Sequence, residues 1–96
     1  MKTLKDIRAK RLYIFFAEQM CNLLGECNKT IELICNGQVG KCYKRLIREQ
    51  DKKIKTIRLC ISICEGLQNK YNCDVVEEDW ISARKQELIN IIDFYC

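Results

Sequence analysis

An all-α fold, an antiparallel up-down-up-down four-helix bundle, is the architecture this sequence predicts, and three observations predict it. The 96 residues contain no proline, the commonest helix breaker. Apolar residues recur at intervals of three and four through every long segment. Polar stretches around Gly25, Asp51 and Asn72 divide the chain into four segments of nearly equal length, 3–24, 28–49, 52–71 and 75–95, as such a bundle requires. A single domain, 1–96, is expected.

The first helix is expected to open at Thr3, whose hydroxyl can cap free amides, with Asp6 three residues on, and to stop near Gly25. Leu12, Tyr13, Ile14, Phe16, Ala17, Met20, Leu23 and Leu24 cover well over half its circumference. So wide an apolar surface needs more cover than one neighbour supplies. The sequence therefore predicts a central helix, or one that also meets a second subunit.

Asn28 or Thr30 can begin the second helix, where Ile31, Ile34, Cys35, Cys42 and Leu46 recur at helical spacing. Its weak point is 36–40, Asn-Gly-Gln-Val-Gly, because Asn-Gly is a turn signal and each glycine costs a helix interior roughly 1 kcal/mol. The length match favours one continuous helix, and the alternative is a break there into a short helix and a second one from about Gln38. Asp51 is the expected cap of the third helix, with Ile54, Ile57, Cys60, Ile61, Cys64, Leu67 and Tyr71 in one stripe. Asn72 and Cys73 mark the next turn. Asp74 to Glu77 reads as a cap with its reciprocal glutamate, and Trp80, Leu88, Ile91, Ile92 and Tyr95 then share a face of the fourth helix.

Eight cysteines are unusual for this length. If the chain doubles back at Asp51, they fall into facing sets, and Cys42–Cys60, Cys35–Cys64 and Cys27–Cys73 are candidate disulfides that would staple a small core. Against this stands the alternative that they are buried thiols behaving as small apolar groups. A weaker alternative is a Zn(II) or Cu(I) site formed by Cys35, Cys42, Cys60 and Cys64. No Cys-x-x-Cys and no histidine supports it, and no metal or other cofactor is expected. Cys96 has no evident internal partner and could bridge two subunits.

Composition narrows function by exclusion. Without histidine a cysteine or serine nucleophile lacks its usual base, and Gly37 and Gly40 match no phosphate-binding loop, so the expectation is a protein that is not an enzyme. The apolar run 12–17 is too short for a signal peptide core or a membrane span, which favours a cytoplasmic over a secreted location. Charge is divided: residues 1–58 carry 14 Lys or Arg against 6 Asp or Glu, and 59–96 carry 3 against 7. Lys41, Lys44, Arg45 and Arg48 cluster on the second helix, Lys52, Lys55 and Arg58 continue on the third, and Lys5, Arg8 and Arg11 lie on the first.

These observations point to a small helical interaction or regulatory protein, such as an inhibitor of viral or mobile-element type. It would bind an anionic partner, an acidic protein surface before a nucleic acid, through this basic face, with association of copies through the first helix or Cys96. A disulfide-stapled secreted effector and a thiolate metal binder are the alternatives.

Overall fold

The computed structural model describes residues 4–38, 40, 43–71 and 80–95. Among these residues there are three helices rather than the expected four: α1 (Leu4–Cys35), α2 (Tyr43–Tyr71) and α3 (Trp80–Tyr95). Among the described residues there is no strand. Two of the expected boundaries are not boundaries.

At Gly25 the helix continues. Met20, Leu24 and Cys27 are all buried, so the inward stripe crosses the glycine unbroken. The roughly 1 kcal/mol that a helical glycine costs is smaller than the roughly 2 kcal/mol from burying one such side chain. Thr30, the expected start of another helix, instead donates its hydroxyl to the carbonyl of Glu26 one turn back, 3.1 Å away. Asp51 is likewise in mid-helix, because Gln50 and Ile57 on either side of it belong to the buried stripe of α2.

The chain reverses instead at the Asn-Gly of 36–37. Gly37 has φ 69°, a left-handed conformation that costs a residue with a Cβ about 1–2 kcal/mol. Its amide donates to the carbonyl of Ile34 at 3.1 Å, and the amide of Gln38 donates to that of Leu33 at 3.0 Å. These two bonds form a Schellman motif, which satisfies the last carbonyls of α1 and stops it. The continuous helix favoured over 36–40 is thus replaced by its alternative, a break, and the break is a full reversal of the chain. Of the two expected helices there, 28–49 is divided between α1 and α2.

α1 and α2 form a long antiparallel hairpin. Tyr13 lies opposite Cys64 and Gln68, and Glu26 opposite Lys53, so each step along one helix is matched by a step back along the other. At 32 and 29 residues the helices are about 47 and 43 Å long. The molecule measures 56 × 20 × 17 Å, with a radius of gyration of 15.8 Å. A compact chain of this length would have about 12–13 Å.

α3, 16 residues and about 24 Å, covers only part of the hairpin. Lys85 pairs with Glu65 at 2.7 Å, and Arg58 and Ile61 line one groove with Leu88 and Ile92, so α3 runs antiparallel to α2. Ile81, Leu88 and Ile91 close the core over Tyr13, Met20, Leu24, Ile57, Cys60 and Cys64. This inward face agrees with the expected stripe through Trp80, Leu88, Ile91, Ile92 and Tyr95. The expected caps at Thr3 and Asp74, and the residues 75–79 given to the fourth helix, lie outside the described residues.

Candidate functional site

The outer face of α2 is where charge collects. In a helix buried along Gln50, Ile57, Cys60, Ile61 and Cys64, residues about half a turn away face solvent. Lys44, Arg48, Lys52 and Lys55 fall there within an arc of roughly 80°, with Arg45 and Arg58 at its edges. All six are exposed. From Lys44 to Arg58 the stripe runs about 21 Å along one straight helix. Because α2 does not turn at Asp51, the clusters expected on two helices join into one row. Lys41 lies outside the described residues.

Local carboxylates neutralise the row only in part. Arg45 Nε lies 3.5 Å from Glu49 Oε1, and Lys55 Nζ 3.0 Å from Asp51 Oδ2, both exposed pairs one turn apart. Such pairs contribute only about 0.3–0.5 kcal/mol. Lys44, Arg48, Lys52 and Arg58 have no ion-pair partner among the described residues. Leu59 continues the row one turn beyond Lys55 and is 60% exposed. The expected site did not include it, although its spacing from Lys52 and Lys55 is already present in the sequence.

Lys5, Arg8 and Arg11 do not join this surface. Lys5 and Arg8 border a shallow recess with Leu12 and Leu67. Leu67 is about 14 Å along α2 from Arg58 and about 35 Å from Lys44. Lys5 and Arg8 therefore sit at the end of the hairpin away from Lys44.

The cysteines are arranged by the same register. Cys64 touches the carbonyl of Tyr13, its Sγ donating at 3.9 Å, whereas Cys35 is 22 residues further along α1, about 33 Å away. That pair is not brought together. Cys60 has no chain reversal between it and Tyr43, whose Cα lies about 26 Å along α2, and Cys27 stands beside Lys53. Cys42, Cys73 and Cys96 lie outside the described residues. Cys21, Cys27, Cys35, Cys60 and Cys64 are free thiols, Cys21 and Cys35 exposed and the others buried.

Burial raises the pKa of Cys27, with Lys53 opposing, and that of Cys60. Cys64 is pushed up to about 11 by burial first, then by the neighbouring Cys60 and Cys21. Thiols held protonated in this way are poor nucleophiles and poor metal ligands at neutral pH. Among the described residues no group of three or more cysteine or acidic side chains is placed to hold a metal ion. Separation of Cys35 from Cys60 and Cys64 dissolves the four-thiolate arrangement, for the same reason that it dissolves the Cys35–Cys64 staple.

No family model, curated protein or solved structure matches this chain. No described helix is long and apolar enough to cross a membrane.

Proposed function

We propose that this chain is a small non-enzymatic interaction protein that binds an acidic surface of a partner protein through the outer face of α2. The observation that carries the reading is the straight row Lys44, Arg48, Lys52 and Lys55, largely without internal counterions and ending on exposed Leu59. Unneutralised cations on a rigid helix attract and orient an anionic partner, and an apolar residue in line with them adds contact area that a phosphate backbone would not use. A regulatory or inhibitory role by masking such a surface follows from this reading.

The test is fluorescence anisotropy with polyglutamate and with a short DNA duplex of equal charge, using wild type and the K44Q/R48Q/K52Q variant. Wild type is expected to bind polyglutamate at low salt. The variant should bind on the order of tenfold or more weakly, with a shallower salt dependence and an unchanged helical circular dichroism spectrum. Equal binding by the variant ends the proposal. Preference for the duplex at matched salt reassigns the face to nucleic acid.

A further inference from the structure

The outer face of α1 has a different chemistry from that of α2. Leu4, Ile7, Arg11 and Ile14, then Phe15, Glu18, Asn22 and Gly25, follow at intervals of three and four on either side of the adjacent pair Ile14 and Phe15. All eight fall on one strip within an arc of roughly 100° opposite the buried Ala9, Tyr13, Met20 and Leu24. Leu4 is 63% exposed, Phe15 53% and Ile14 38%. α2 does not reach the strip, and α3 reaches only its edge, where Trp80 borders an open pocket with Ile14, Glu18 and Asn22.

Its order has a symmetry. Arg11 and Glu18 stand at equal distances on either side of the junction of Ile14 and Phe15, as do Ile7 and Asn22, and Leu4 and Gly25. Arg11 and Glu18 are exposed, and neither has an ion-pair partner among the described residues. At Gly25 an added Cβ would meet nothing within 4 Å, so the helix surface there is an open notch. An antiparallel copy of α1 laid on this strip brings Ile14 against Phe15 at the centre. Arg11 is then level with Glu18 on both sides, and Leu4 is level with the notch at Gly25.

From this self-complementarity we infer that the outer face of α1 is a two-fold interface with a second copy of this chain. Charge decides between the occupants. An acidic helix or an anionic membrane would be drawn to Arg11 and Arg8 and repelled by Glu18 on the same strip, whereas a reversed copy pairs both signs. Two-fold symmetry doubles each contact. The strip from Leu4 to Gly25 is about 32 Å long, and the basic rows of α2 point outward on both copies.

The test is a charge-swap cycle on the full chain, kept reduced and followed by sedimentation equilibrium at concentrations up to the order of 100 µM. Wild type is expected to dimerise, more weakly as salt rises. R11E and E18R each replace two attractions by two repulsions, and each should weaken the dimer on the order of tenfold or more. The double variant R11E/E18R restores it. Both residues are exposed, and an unchanged circular dichroism spectrum shows that each variant is folded. A wild type that stays monomeric overturns the inference, and so does a dimer indifferent to R11E or one that R11E/E18R fails to rescue.

Discussion

Replacing Asp51 by proline tests the continuity of α2, on which the basic row depends. Asp51 is exposed and in mid-helix, so the substitution disturbs almost no side-chain packing. Proline removes the amide donor to the carbonyl of Ile47 and drives its ring into that same carbonyl, at a cost of about 3 kcal/mol or more. Loss of the exposed pair with Lys55, 3.0 Å apart, adds only about 0.3–0.5 kcal/mol, which D51A measures by itself. A domain of this size is stable by roughly 5–14 kcal/mol, so D51P removes a large share. The expected shift in urea midpoint is about 2 M, and in Tm about 12–24 °C, both followed by circular dichroism. G37A is the companion variant: with nothing within 4 Å of an added Cβ, its cost of about 1–2 kcal/mol is conformational alone. Had the chain turned at Asp51, proline there would be tolerated. A D51P protein as stable as D51A, together with a neutral G37A, would refute the three-helix reading.

Two further outcomes follow from the core. Cys64 has a raised pKa in the folded protein, so above pH 9 the unfolded thiol ionises while the folded one stays protonated. Stability is full below pH 9 and falls by about 2–3 kcal/mol as pH rises through 11. C64A should flatten that slope in urea titrations between these limits, and an identical slope in C64A would assign the loss to other groups. Gln50 is buried, and its Oε1 atom has no hydrogen-bond partner among the described residues. Q50L should therefore raise stability by about 1 kcal/mol, and a destabilised Q50L would show that the amide is satisfied in solution.

The inward stripes of the molecule can be read directly from residue spacing. Ile57, Cys60, Ile61 and Cys64 on α2, and Leu88 and Ile91 on α3, are buried as their period requires, and the absence of proline agrees with an all-helical chain. The basic residues of α2 are also legible one by one. Their union into a row is not, because it depends on where the helix ends.

Chain composition by itself determined the secondary-structure class, the apolar face of each helical segment and the sign of the charge on the outer ones, since these follow from periodicity within a few turns. Only the tertiary structure decided which weak points become turns. Gly25 and Asp51 carry local turn signals worth about 1 kcal/mol or less, and burial of the residues around them against the opposite helix exceeds that. At Gly37 the balance goes the other way: a left-handed glycine closes the end of α1 with two hydrogen bonds and allows α2 to return along it. That choice sets the register, which separates Cys35 from Cys64, and it leaves α2 unbroken from Lys44 to Lys55, which aligns the basic row.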